Sequence, residues 1–304
     1  MKRFLKYVLM FSAIVIATLV VGEITVRHRP NPYSTKDHYI REHGKDIETL
    51  ILGSSHTFFG IVADSVGCET MNLANISQNY EYDWRVLKRY YRYMPNLSRV
   101  IIPISYFSFF DPPFEESDNE RWYEIYYKLY NGIDKYSTIS KYNLEISNFH
   151  VFQGKLSGLI SGKRHGLCSP QGFGLDYSHD TVDPEWQKHS EEHAGWHTAP
   201  DDRHTSYNIA YLDSLLSFCF TNNITPILIS TPTWKDYRSH LDCRQAPRTR
   251  KITDSIATRH NLKYFDYSDD SRFNEDDFYD ADHLCDKGAN KFTRLLIRDS
   301  IFAE

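Results

Sequence analysis

The chain has 304 residues, 41% apolar and 25% charged, proportions that suit one large core or two small ones and exclude an intrinsically disordered chain. Its formal net charge is -5, and its scattered Lys and Arg are outnumbered by carboxylates, which excludes a nucleic-acid partner on electrostatic grounds. Aromatic residues make up 15%, with 22 Tyr and 18 Phe, and a ring with a polar tip suits a wet binding groove.

The first six residues include Lys2, Arg3 and Lys6, and Tyr7 to Gly22 carries no charge, with Phe4, Leu5, Ile24 and Val26 extending the apolar length. No polar face interrupts the run, which argues against a buried amphipathic helix, and no A-x-A-like cleavage site follows it. The expectation is an uncleaved signal anchor over residues 1–27, with the basic end cytoplasmic and residues 28–304 outside; a cleaved signal peptide is the alternative.

A polar linker is expected over residues 28–45, then a β-prone run at 47–52 that ends in Gly53-Ser54-Ser55. A second strand is expected at 69–73, a helix at 80–93 closed by Pro95, and a third buried strand at 99–104. From Ser105 to about His204 periodicity dissolves over a stretch longer than any ordinary connection, so it reads as an insertion. Alternation then resumes with a helix at 206–220, a strand at 226–230, a helix at 248–260, a strand at 262–266 and a terminal helix at 287–302. This order predicts an α/β fold of three layers, a mostly parallel, flavodoxin-like sheet between helices, with the site at the carboxyl ends of the strands.

Five cysteines without C-x-x-C spacing suggest neither a zinc knuckle nor a thioredoxin motif. Outside the cytoplasm one or two disulfides remain open, while Cys219, inside an apolar stretch, reads as core filling.

Gly53-Ser54-Ser55 puts two hydroxyls where the first strand ends, and the amides that follow offer partial positive charge to a developing oxyanion. A serine nucleophile needs an imidazole base held by a carboxylate. Three histidines have an aspartate three residues earlier: Asp176/His179, Asp201/His204 and Asp280/His283. The first two pairs fall in or at the edge of the insertion; only the third lies between the last strand and the terminal helix, at the same sheet edge as Ser55. Both Ser54 and Ser55 stay open as the hydroxyl that acts, the other capping the turn; His56 is read as structural or surface, and Asp282 as turned away or capping the next helix.

Gly53-Ser54-Ser55 and Asp280-Ala-Asp-His283 resemble the Gly-Asp-Ser and Asp-x-x-His blocks of the SGNH/GDSL hydrolase family, a resemblance that spans the chain after the anchor. It implies Ser55 as nucleophile, His283 as base and Asp280 as orienting acid. In that family the nucleophile's N–H, a second-block glycine N–H and a third-block asparagine side chain form the oxyanion hole. Residues 71–78 resemble the second block with Ala74 and Ser77 at glycine positions, so the implied donors are the N–H groups of Ser55 and Ser77. Residues 104–108 lack the third block's Gly-x-Asn-Asp, which leaves the side-chain donor unassigned. The architecture also resembles membrane-anchored relatives in exopolysaccharide O-acetylation and teichoic-acid D-alanylation. That implies a glycan or acyl-ester substrate, membrane attachment through the N-terminal helix and a membrane acyltransferase partner; a catalytically degenerate glycan-binding or envelope-assembly protein is the alternative.

In the insertion, Trp122 and Tyr126 are the aromatic candidates for stacking on sugar rings, although one face of such a helix must be buried. His189, His193 and His197 recur every four residues, a spacing that on a helix suits zinc. Gly195 weakens a helix there, so the stretch is read as a polar loop, with no metal and no cofactor assigned.

Overall fold

The computed structural model describes residues 1–67, 69–118, 120–135, 144–147, 149–161 and 166–302; Cys68 lies outside them. Helix α1 (Lys2–Arg27) is long and apolar enough to cross a membrane. Phe4, Leu9, Phe11, Ile14 and Val20 are exposed, and Val26, at its C-terminal end, is its one buried residue.

Where a polar linker was expected, the chain forms α2 (Pro32–His43). Asn31 caps it by accepting from Ser34 N at 3.0 Å, Ser34 reciprocates to the Asn31 amide, and Pro32 supplies a preset φ at the first turn. Polarity hides this helix in the sequence because its inward face, Tyr33, Lys36 and Ile40, has a lysine at its centre.

Five strands follow the expected order, each shorter than its sequence pattern or close to it: β1 (Thr49–Ile51), β2 (Thr70–Asn72), β3 (Arg99–Pro103), β4 (Thr225–Ser230) and β5 (Tyr264–Asp266). Every pairing is parallel, and the spatial order is β2-β1-β3-β4-β5. Successive side chains point to opposite faces. Accordingly Leu50, Val100, Ile102 and Leu228 join one apolar cluster, and Ile51, Ile101, Ile227 and Ile229 join the other. Both faces are therefore covered, as a parallel sheet requires.

Between β1 and β2 lies the short α3 (Ser55–Phe58), and between β2 and β3 lies α4 (Tyr80–Tyr90), extended by a single 3-10 turn at Tyr91–Tyr93. The long connection from β3 carries α5 (Tyr123–Asn131), α6 (Phe149–Ser161), α7 (Ser190–Trp196) and then α8 (Thr205–Thr221). Next come α9 (Lys235–Ser239), α10 (Gln245–His260) and the terminal α11 (Asp286–Arg298). Helices α4, α8 and α10 cover one sheet face through Tyr82, Val86, Leu87, Leu212, Leu216, Cys219 and Ile256. Helix α11 covers the other through Ala289, Phe292, Leu295 and Leu296, joined by Trp186 and Ala194 from the insertion. Cys219 is fully buried in the first cluster, and among the described residues Cys168, Cys219, Cys243 and Cys285 are all free thiols.

Candidate active site

Gly53, two residues past β1, has φ +114°, and a Cβ there would meet Pro103 Cγ at 2.1 Å, so only glycine permits this turn. Its N–H donates to Asp83 Oδ1 at 2.8 Å, and its carbonyl accepts from Asn75 N at 3.1 Å. Burial pushes the Asp83 carboxyl up to about 7. Ser54 takes the N-cap position of α3 with an extended backbone, but its hydroxyl makes no capping bond; Thr57 Oγ1 instead ties the turn by donating to the Leu52 carbonyl at 2.8 Å. Ser55 is then the first residue of α3, where backbone amides lack intrahelical acceptors.

The other half is a small loop closed by the antiparallel bridge Phe278–Leu284 and by Tyr279 N donating to the His283 carbonyl at 2.9 Å. Within it Asp280 Oδ1 accepts from the backbone N–H of Asp282 at 3.1 Å and of His283 at 2.9 Å, which fixes the carboxylate. His283 Nδ1 lies 2.9 and 3.1 Å from the two Asp280 oxygens, and His283 Nε2 lies 2.8 Å from Ser55 Oγ. Phe59, Tyr177 and Tyr279 stack at 3.8 and 4.0 Å between centroids, and the Phe59 and Tyr177 rings meet the His283 imidazole edge-on. Burial pulls the His283 imidazole down, but the Asp280 and Asp282 carboxylates outweigh it and raise it to about 9.

Two residues expected to turn away are part of this centre. His56 is 4% exposed rather than on the surface, with Nε2 3.0 Å from Asp282 Oδ2 and Nδ1 3.0 Å from Ser105 Oγ. Asp282 is 1% exposed and caps no helix; Cys285 holds the N-cap position of α11. The supposed polar loop is also helical: α7 carries His193, and His197 follows as its C-cap. His193 Nδ1 is 2.7 Å from Asp282 Oδ1, and His197 Nδ1 is 3.6 Å from Asp282 Oδ2 and 2.9 Å from the Tyr237 hydroxyl. The helical spacing of His193 and His197 was the signal; Gly195, around which a Cβ would meet open space, does not prevent the helix. His189 pairs with Glu192 at the exposed surface. Burial pulls His56 down, against its bond to Asp282, and pulls His197 down to about 4. For His193 the Asp282 carboxylate overcomes burial and raises it. Burial alone would raise Asp282, yet the His283 and His197 imidazoles and the bonds from His193 and His56 hold it well below the usual carboxylate range.

The other aspartate–histidine pairs lie elsewhere. Asp176 accepts from Gly166 N at 2.7 Å, Asp201 pairs with Arg203, and His204 sits before α8, 3.8 Å from Glu116.

Of the two second-block positions where the family has glycine, Ala74 has its N–H engaged, donating to Asn72 Oδ1 at 3.0 Å. Ser77 has φ +58°, the left-handed conformation a glycine adopts without strain. A residue that sequence reading passed over organises this segment. Lys36 is 2% exposed, with Nζ donating to the Ala74 carbonyl and, at 3.2 Å, to Asn75 Oδ1, 4.2 Å from the Phe58 ring centroid. Burial lowers its ammonium to about 7.

Trp122 and Tyr126 have different surroundings. Arg121 lies over the Trp122 ring at 4.7 Å, while Tyr126 joins Tyr33, Tyr123 and Tyr130 around a cavity of about 660 Å³ that reaches Val26 at the end of α1.

No family model matches the sequence, and no curated protein does. Among solved structures, a Bacteroides fragilis protein to which acylhydrolase activity is ascribed aligns over 87% of this chain and 94% of its own, at 11% identity and a TM-score of 0.40. A GDSL-like lipase from Bacteroides thetaiotaomicron aligns over 89% of this chain and 98% of its own, at 10% identity and a TM-score of 0.43.

Proposed function

We propose that this chain is a serine acyl hydrolase or O-acyltransferase of SGNH/GDSL type, with Ser55 as nucleophile, His283 as general base and Asp280 as orienting acid. The observation that carries the reading is the linear array from Ser55 Oγ through His283 to Asp280, at 2.8 and 2.9 Å. With Nδ1–H donating to Asp280, the Nε2 lone pair faces the serine hydroxyl. Ser55 Oγ attacks the acyl carbonyl as its proton passes to His283 Nε2, and the carbonyl electron pair becomes an oxyanion. Collapse of that adduct expels the alkoxide, which takes the proton back from His283 and leaves an ester on Ser55. Water, or a glycan hydroxyl, then repeats the steps in reverse and frees the serine. The N–H groups of Ser55 and Ser77 are the proposed oxyanion donors.

The substrate in this reading is an acyl ester on a cell-envelope or exported glycan. Support comes from the apolar, exposed α1 with Lys2, Arg3 and Lys6 at its start: positive residues stay cytoplasmic, so the site stands outside the membrane. A membrane acyltransferase that hands an acyl group to Ser55 is the corresponding partner. One observation favours a second reading, a glycan-binding or assembly protein without turnover: after β3, Ser105 Oγ is engaged by His56, where the family pattern calls for an asparagine amide.

Labelling of the purified chain by a serine-directed fluorophosphonate, against Ser55→Ala, separates the two. Equal labelling of both proteins removes Ser55 as nucleophile; acetate release from an acetylated glycan by wild type alone supports the hydrolase.

A further inference from the structure

We propose that His56, His197 and Asp282 form a binding site for a divalent transition-metal cation of the zinc type, one carboxylate away from the serine array. The proposal stands on geometry that the acyl-transfer steps do not use, and it holds whether or not Ser55 is a nucleophile.

The three groups come from separate parts of the fold: α3, the C-cap of α7 and the loop before α11. His56 Nε2 and His197 Nδ1 lie 3.0 and 3.6 Å from the same oxygen, Asp282 Oδ2. All three donor atoms fall within 4.8 Å of one another. Zinc bonds of roughly 2.0–2.2 Å in a tetrahedron space neighbouring donors about 3.3 Å apart, and the two distances to Asp282 bracket that value. Two imidazole nitrogens and one carboxylate oxygen suit zinc and its first-row neighbours; magnesium and calcium prefer oxygen-only sets.

The surroundings have the features of an outer shell that aims such ligands. His56 Nδ1 is held by Ser105 Oγ at 3.0 Å, leaving Nε2 directed at the site. The second Asp282 oxygen accepts from His193 Nδ1 at 2.7 Å, leaving Oδ2 for the cation. The side chains of His56 and Asp282 are 2% and 0% exposed, and His197, at 25%, forms the solvent side through which a cation enters. The Tyr237 hydroxyl, 2.9 Å from His197 Nδ1, is the group that entry displaces. Three protein ligands leave a fourth position for water, and the bound cation pins α7 to α3 and to the loop of the serine array.

The test uses the full-length chain in detergent, stripped with a chelator. Zn²⁺ is titrated by calorimetry, and Co²⁺ by the visible absorption that four-coordinate cobalt shows. The expected result is one Zn²⁺ per chain, a saturable Co²⁺ band, and at least a tenfold weaker affinity in His197→Ala and His197→Gln. His193→Ala weakens binding about 10-fold, as loss of a second partner does elsewhere. His189→Ala, on the exposed surface, leaves affinity unchanged. The site is overturned if wild type takes up no stoichiometric Zn²⁺, if both His197 variants bind as wild type does, or if His189→Ala or His193→Ala alone abolishes uptake. Fluorophosphonate labelling of the same samples reports the serine array separately.

Discussion

His56 Nε2 and Asp282 Oδ2 lie 3.0 Å apart across 226 positions of chain, and both side chains are almost wholly buried. The contact joins the nucleophile turn to the loop of His283, so the two halves of the proposed triad are coupled through a second imidazole–carboxylate pair. Removing Asp282 leaves His56 and His193 without their common acceptor. In metal-free protein, Asp282→Ala should cost about 1–3 kcal/mol of stability, the usual penalty for leaving buried polar groups without their hydrogen-bond partner. Urea unfolding checks this; a loss below about 1 kcal/mol would show the cluster to be loosely held.

Ser55→Ala should remove hydrolysis of a simple activated ester such as p-nitrophenyl acetate by about 10³-fold or more while leaving the fold intact. Ser55 is only partly buried, and alanine there gives up the hydroxyl's 2.8 Å bond to His283 Nε2. Retention of more than a tenth of wild-type activity, with an unchanged circular dichroism spectrum, would move the nucleophile elsewhere.

His283 must be neutral at Nε2 to accept the serine proton. Its neighbours are Asp280, Asp282, His56, Tyr177 and Ser55, and the two carboxylates raise its imidazolium to about 9. In chelator-treated protein, kcat/KM for the ester should therefore climb with pH and level off above about 9. Asp280→Asn removes the largest raising influence, so the rise should move toward neutral pH while the plateau falls through loss of orientation. A pH–rate profile of both proteins decides; a flat wild-type profile between pH 6 and 9 would contradict His283 as the base. The same shift acts on stability: the imidazolium's contribution is complete below its unfolded value and is lost as pH rises through about 9.

Gly53 combines φ +114° with a clash of 2.1 Å between any added Cβ and Pro103. Gly53→Ala should lower stability by about 1–3 kcal/mol and reduce fluorophosphonate labelling of Ser55, because the turn that aims the hydroxyl must shift. Thermal unfolding and labelling of the same sample measure both. Normal labelling with normal stability would show that the turn tolerates a side chain.

Much of the fold was legible in local pattern. Short apolar runs at 47–52, 99–104 and 226–230 became β1, β3 and β4, because a parallel strand covered on both faces is apolar along most of its length. The place of Asp280 and His283 beside Gly53-Ser54-Ser55 was read from their order relative to the strands, since a parallel sheet puts every strand-to-helix turn at one edge; Ser55 rather than Ser54 rested on the family resemblance. Helix α2 was also written in the sequence, as Asn31-Pro32 followed by inward Tyr33, Lys36 and Ile40; a lysine at a core position disguised it. That lysine is tolerated because the Ala74 carbonyl and the Asn75 side chain accept its protons.

Spacing and composition thus determined the strands, the sheet-edge turn at Gly53 and the place of Asp280 and His283, all consequences of backbone geometry acting over a few residues. The tertiary structure alone decided that His56, His193 and His197 converge on Asp282. Those side chains meet across 226, 89 and comparable spans of chain only after α7 has packed against the sheet. Helical spacing sets His193 and His197 on one side of α7, but no local periodicity encodes their meeting with Asp282; that depends on a buried carboxylate finding its donors wherever packing brings them.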